Sequence, residues 1–209
     1  MKRGLFVTFE GGEGAGKSTL AASLRDALKA EGRKVLFTRE PGGTPFGEEL
    51  RSLLLHHHDH IADQAELFLF LASRIQHISE LIEPALKRGE LVLCDRFNDS
   101  TIAYQGQARG LGMEYVASCC KLACSDFTPD LTFYVDIDPK LGLHRTEKRR
   151  RGAAVDRLEK EALVFHEKVR EGYLTLAKQN PSRIHTLDGT QEPNHLVSQA
   201  LTILKKHEQ

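Results

Sequence analysis

The chain has no excess charge of either sign: 29 lysines and arginines balance 29 aspartates and glutamates across 209 residues. A broad basic field of the kind nucleic-acid binders use is therefore missing, and any affinity for phosphate must be local. Also missing is an apolar run near the ~20 residues of a membrane span, and the first residues pass into a strand without a secretory apolar segment. These absences lead us to expect a soluble, cytoplasmic protein with neither nucleic acid nor membrane as partner. The four cysteines follow no zinc spacing and no small secreted scaffold. Cys94 falls in a strand and Cys119, Cys120 and Cys124 on one helix, so reduced thiols are expected. Repeats and low-complexity tracts are absent too. With 40% hydrophobic and 28% charged residues, the length suits one well-buried α/β domain spanning 1–209.

What is present begins with Gly11-Gly12-Glu13-Gly14-Ala15-Gly16-Lys17-Ser18, which fits the P-loop pattern G-x-x-x-x-G-K-[ST]. Its glycines let successive backbone N–H groups turn toward phosphates, Lys17 reaches the β/γ oxygens, and the Ser18 hydroxyl can ligate magnesium. The apolar run Leu5 to Phe9 precedes it, and Leu20 to Leu28 follows with helical spacing. Further strands are expected at Lys34–Thr38, Leu91–Cys94, Leu131–Ile137 and Arg183–Leu187. Helices are expected at Lys17–Glu31, Pro45–Leu55, Asp63–Lys87, Glu114–Ser125, Pro139–Arg149, Lys160–Gln179 and Pro193–Lys206. Such alternation implies a parallel sheet. Gly32 and Gly89 are placed to end helices in a left-handed conformation, Thr44-Pro45 to start one, and Pro84 to kink or divide the long third helix. His56-His57-His58-Asp59-His60 lies between two helices, where a loop offers no preorganised tetrahedron, and it is read as a solvated connection.

A P-loop alone serves switches, motors and kinases alike. Leu91 to Cys94 ends in Asp95, which places a carboxylate at the carboxyl edge of the sheet beside a magnesium site shared with Ser18, directly or through water. Arg96 follows and would either face the phosphates or pair with Asp95. Arg145 to Arg157 carries six basic residues between two helices. It suits a lid, at about 145–157, whose arginines arrive with substrate to stabilise transferring phosphoryl; a basic surface patch is the alternative. No general base stands out. A nucleoside monophosphate acceptor needs none, because its second phosphate pKa is about 6.

Glu13, Thr38-Arg39-Glu40-Pro41-Gly42-Gly43-Thr44, Leu67-Phe68 with Arg74, Asp95-Arg96, Ala103-Tyr104-Gln105-Gly106 and Arg151-Gly152 with Asp156-Arg157-x-Glu159 together resemble the bacterial thymidylate kinase family over nearly the whole chain. The resemblance implies a three-layer P-loop kinase fold with a five-stranded parallel sheet and a short lid, transfer of the ATP γ-phosphoryl to dTMP giving dTDP for dTTP synthesis, Mg2+, and a homodimer. It implies an ATP site of Gly11, Gly12, Glu13, Gly14, Ala15, Gly16, Lys17, Ser18, Thr19 and Arg145. Phe70 would stack on thymine and Arg74, four residues on, would donate to its O4. Tyr104 would crowd the sugar C2′, Glu13 would accept from the 3′-hydroxyl, and Ser100, Thr101 and Gln105 would lie near the base. Arg96, assisted by Arg51, would hold the acceptor phosphate. Where one subclass carries a P-loop arginine this chain has Gly14, so the resemblance assigns the catalytic cation to the lid, first to Arg151 and then to Arg149. Phe97 and Ser73 depart from the family's usual residues at their positions.

Overall fold

The computed structural model describes residues 3–56, 60–125, 127–149 and 156–208. Five short apolar runs form the sheet: β1 (Phe6–Glu10), β2 (Val35–Arg39), β3 (Leu91–Asp95), β4 (Leu131–Asp136) and β5 (Ile184–Asp188), in the order β2-β3-β1-β4-β5 with every pairing parallel. All five expected strands form, each within one residue of its expected bounds. Central β1 is buried along its length, as parallel strands covered on both faces must be. Its register sets Phe9 beside Asp95 and Glu10 beside Tyr134, so the ends of β1, β3 and β4 share one edge. The chain order reverses on either side of β1, and the crevice at that edge is where such sheets bind ligands.

Helices α1 (Lys17–Ala30) and α9 (Pro193–His207) cover one face. Leu20, Leu24 and Leu28 meet Leu196, Ala200 and Leu204 there over Val7, Phe9 and Phe133. The opposite layer holds α3 (Asp63–His77), α6 (Met113–Cys124) and α8 (Leu163–Gln179), packed around Phe70, Tyr104, Tyr134 and Tyr173. Helix α2 (Pro45–His56) lies against α3, and α7 (Pro139–Arg149) leads toward the basic segment. Gly32 and Gly89 have positive φ, and the Thr44 hydroxyl accepts from the Gly47 N–H, as their types predict.

Three expectations need correction. The long helix from Asp63 does not divide at Pro84 itself. It widens into a π-helical turn at Ile78–Ile82, then resumes as α4 (Glu83–Lys87). The wide turn lies just upstream, where the proline ring would otherwise strike the carbonyl of residue 80. The helix expected from Lys160 begins at Leu163, because Asp156 accepts from the Glu159 N–H and holds the preceding residues in a turn. Finally, a helical rod absent from the expectation follows β3: α5 (Asn98–Thr101), continued by a second π-helical stretch at Ile102–Ala108. Its seat against α8 is close. A Cβ on Gly172 would lie 3.0 Å from the Ala103 Cα, so glycine there lets Tyr173 approach Ser100.

That approach seals a buried carboxyl. Glu10, at the end of β1, accepts from the Phe97 N–H (2.8 Å), the Ser100 hydroxyl (2.5 Å) and the Tyr173 hydroxyl (3.1 Å). Burial and nearby Asp99 push its pKa up to about 8, against the lowering pull of Ser100, Arg96 and the Phe97 N–H. A raised carboxyl stabilises the fold most below the ordinary value of 4.5, and that contribution is lost as pH rises through about 8. Glu10→Gln should therefore flatten the decline in stability between pH 5 and 8. Denaturant midpoints at pH 5, 6.5 and 8 check this, and equal slopes in parent and variant would contradict it.

Candidate active site

The loop between β1 and α1 wraps the helix N-terminus, with Gly11, Gly14 and Gly16 at positive φ. Lys17 donates to the Gly12 carbonyl at 2.7 Å, and Ser18 Oγ donates to Asp95 Oδ2 at 2.5 Å. Gly14 has no room for a side chain: a Cβ would lie 2.0 Å from the Gly142 carbonyl oxygen of α7. Close approach of α7 thus excludes a P-loop arginine on this backbone. Asp95 Oδ1 is buried without a partner among the described residues, a hard oxygen donor next to a hydroxyl, and this pair suits a small divalent cation.

Arg96 leaves β3 at φ 72, a left-handed conformation unusual outside glycine. Its guanidinium donates to Glu13 Oε1 (2.6 Å), the Gly11 carbonyl (3.1 Å), Ser100 Oγ (3.2 Å) and the Tyr173 hydroxyl (3.3 Å), and lies 5.0 Å over the Tyr104 ring. Tyr104 also donates to Glu13 Oε1 (2.8 Å). The arginine therefore pairs with the P-loop acid rather than with Asp95. Burial opposes the Glu13 charge, but Arg96, Lys17 and the Tyr104 hydroxyl outweigh it and bring its pKa down to about 2. Lys17 behaves in the opposite sense: burial and then Arg96 lower its pKa to about 8, despite Glu13, Asp95 and Glu10.

A cleft of ≈ 270 Å³ runs from the P-loop to α3. It brings together Glu13, Gly14, Gly16, Lys17, Ser18 and Thr19 with Arg51, Phe70, Arg74 and Asp95. Arg96, Ser100, Thr101, Tyr104 and Gln105 complete the expected set along its wall. Gly11, Gly12 and Ala15 of the same loop do not line it. Arg51 donates to the Pro41 carbonyl (2.9 Å), and burial and the Arg39 charge lower its pKa. Arg145 lies outside the cleft and donates to the Gly189 carbonyl (2.8 Å) from α7. Arg151 and the lid centre fall outside the described residues, as do His57 and His58, and the Arg149 side chain is likewise not described.

Arg74 is almost wholly buried. Its Nε donates to Glu40 Oε2 (2.6 Å) and its Nη2 to Thr101 Oγ1 (2.9 Å), while Nη1 has no partner among the described groups. Glu40 is held in turn by His77 Nδ1 (3.0 Å), and His77 Nε2 meets the Thr38 hydroxyl (2.7 Å). Glu40, His77 and Cys94 place ligand atoms within 4.8 Å of one another. Arg74, Thr38 and the Arg96 carbonyl already engage those atoms, so the cluster is a hydrogen-bonded support for Arg74. Phe97, where the sequence departs from the family it resembles, packs edge-on to Phe6 at 4.9 Å beneath the Arg74 guanidinium, and Ser73 accepts from the Gly42 N–H. Sequence reasoning missed three buried glutamates: Glu10, Glu40 and Glu66. Glu10 directly ends the apolar run of β1 and Glu66 directly precedes the run Leu67 to Leu71, which is the signal that could have found them; Glu40, between Arg39 and Pro41, is marked only by the motif it belongs to.

A family profile described as thymidylate kinase matches residues 9–200. The chain is 50% identical to the thymidylate kinase of Protochlamydia amoebophila, over 98% of this chain and 93% of that one. It is 48% identical to that of Desulfovibrio desulfuricans, over 97% and 96%. The crystal structure of thymidylate kinase from Ehrlichia chaffeensis superposes with a TM-score of 0.76 at 31% identity, covering 97% of this chain and 99% of that one.

Because Lys17 titrates near 8 in the free site, kcat/KM for the triphosphate donor should fall above pH 8, while kcat, measured with the polyanion bound, should hold to higher pH. Lys17→Arg should remove the alkaline fall whatever its residual activity. A parent kcat/KM profile flat to about pH 9.5 would contradict the assignment.

Proposed function

The chain belongs to the thymidylate kinase family, and from that premise we propose that it phosphorylates dTMP to dTDP with ATP by direct transfer across the cleft. One observation carries the substrate assignment: Arg74, buried and held by Glu40, Thr101 and the Phe97 ring, leaves Nη1 without a partner among the described residues and lines, with Phe70, a cleft whose other end is the P-loop. A guanidinium N–H there matches thymine O4 and mismatches the amino group of cytosine. Phe70 stacks on the base, Tyr104 crowds C2′, Glu13 accepts from the 3′-hydroxyl, and Ser100, Thr101 and Gln105 border the base. Arg96, with Arg51, holds the acceptor phosphate.

Backbone N–H groups from Gly11 to Thr19 and the Lys17 ammonium bind the ATP phosphates, and Arg145 supports this end from α7. Ser18 and Asp95 would hold Mg2+, which, when bound, neutralises charge on the β/γ oxygens. The acceptor phosphate is dianionic near neutrality, so orientation and cations suffice without a base. The space above Gly14 is taken by Gly142, which supports assigning the transition-state cation to the lid arginines Arg151 or Arg149. We place the protein in the cytoplasm, where its free cysteines suit the reducing milieu. It is read as a homodimer: Phe68 and Ile75 on α3, and Tyr115 and Leu122 on α6, repeat at seven residues and leave apolar side chains exposed on two adjoining helices.

ADP release measured across the nucleoside monophosphates tests the reading. dTMP should be the preferred deoxynucleotide over dCMP, and Arg74→Ala should lower kcat/KM for dTMP by roughly 10- to 100-fold, the loss of a charged hydrogen bond of ~1.5–3 kcal/mol. ATP affinity should change little. No dTMP-dependent ADP release, or equal damage to both substrates, would contradict it.

A further inference from the structure

Glu66 does not line the cleft, yet it is wholly buried in the first turn of α3. Its Oε2 pairs with Arg157, and its Oε1 accepts from Gln105 Nε2 at 2.8 Å and from Arg109 Nε at 3.4 Å. Arg157 is anchored on the other side, donating from Nε to the Leu54 carbonyl (3.1 Å) and from its backbone N–H to the Leu55 carbonyl (3.0 Å). Arg109 is steadied by Glu161 (2.6 Å) and by the Phe165 ring, 4.7 Å from its Cζ. A carboxylate between two guanidiniums is acceptor-only. It therefore dictates which end of the Gln105 amide faces it: the NH2 group can donate, whereas the carbonyl would meet the carboxylate as a second acceptor.

We propose that Glu66 is a positioning residue for base recognition: by capturing the Gln105 NH2 it leaves the Gln105 carbonyl as the acceptor offered to the pyrimidine. This rests on the dTMP reading above. Thymine and uracil carry N3–H, a donor that fits a carbonyl; cytosine carries a bare N3, an acceptor that does not. Gln105 then reads N3 as Arg74 reads O4, and the pair presents acceptor beside donor, the complement of the thymine 3,4-edge. The arrangement parallels that at Arg74, where buried Glu40 takes Nε and Thr101 takes Nη2, leaving Nη1 without a partner among the described residues. In both cases a buried carboxylate, Glu66 behind the cleft and Glu40 at its wall, sets the hydrogen-bonding polarity of a side chain that lines it.

Glu66→Gln tests the idea, because an amide at position 66 can donate and so lets Gln105 turn. The variant should keep ATP affinity and most of kcat at saturation. KM for dTMP should rise, and the ratio of kcat/KM for dTMP over dCMP should fall at least tenfold, while the ratio for dTMP over dUMP, which share the 3,4-edge, stays within about twofold. The double variant Glu66→Gln/Gln105→Glu reverses the inner hydrogen bond, the amide at 66 donating to a carboxylate at 105 whose second oxygen still accepts from N3–H. It should recover most of the lost dTMP-over-dCMP discrimination. If Glu66→Gln does not fold, Glu66→Asp, which keeps a charge for Arg109 and Arg157 but draws back from Gln105, should lower the same ratio. Unchanged discrimination in the single variant, equal loss for ATP and dTMP, or no recovery in the double variant would overturn the proposal. A parent enzyme that does not use dTMP would instead overturn the functional reading beneath it.

Discussion

Arg96 sits in a conformation that costs an L-residue roughly 1–3 kcal/mol, and the Glu13 carboxylate at 2.6 Å is its strongest partner. The two follow different strands: Glu13 lies beyond β1 in the P-loop, and Arg96 directly follows β3. Their pairing ties the P-loop to the cleft wall that follows β3, and Tyr104 joins it from the rod beyond. Parallel pairing of β1 with β3, in the register that sets Phe9 beside Asp95, brings the two residues within reach. On the proposed function, the sheet edge fixes the distance across which phosphoryl must move.

The same device recurs away from the sheet. Glu40 holds Arg74, Glu66 holds Arg157 and Arg109, and Asp99 holds Arg183 at 2.7 Å. Buried ion pairs are weak sources of net stability, because desolvation offsets most of their attraction, but removing one partner strands a charge at a cost of ~3–5 kcal/mol. Their value here is geometric. Arg74, the one of these arginines that lines the cleft, has few rotamers left, so little conformational entropy remains to be lost if a ligand engages it.

Features with local causes were legible in the sequence. Glycine spacing identifies the P-loop, apolar runs place all five strands, and Thr44-Pro45 starts α2. The rod from Asn98 to Ala108 was not, because Asn98-Asp99-Ser100-Thr101 has poor helix propensity and Gly106 breaks the run from Ile102 to Ala108. Tertiary contacts hold it: Arg183 on Asp99 and Glu10 on Ser100 reach across the chain. Phe70, Arg74, Tyr104 and Gln105 were placed through the family resemblance, and they do share one cleft. Their supports were invisible, since Glu66 meets partners 39, 43 and 91 positions away. Periodicity along one helix carries no trace of such pairings.

The most direct test of the account is a double-mutant cycle on Glu13→Gln and Arg96→Lys, read in kcat/KM for dTMP. If the pair sets the alignment of donor and acceptor, the two changes should be coupled by about 1.5 kcal/mol or more. Effects that add to within about 0.5 kcal/mol would show that the residues act independently, and would contradict the view that this ion pair aligns the site.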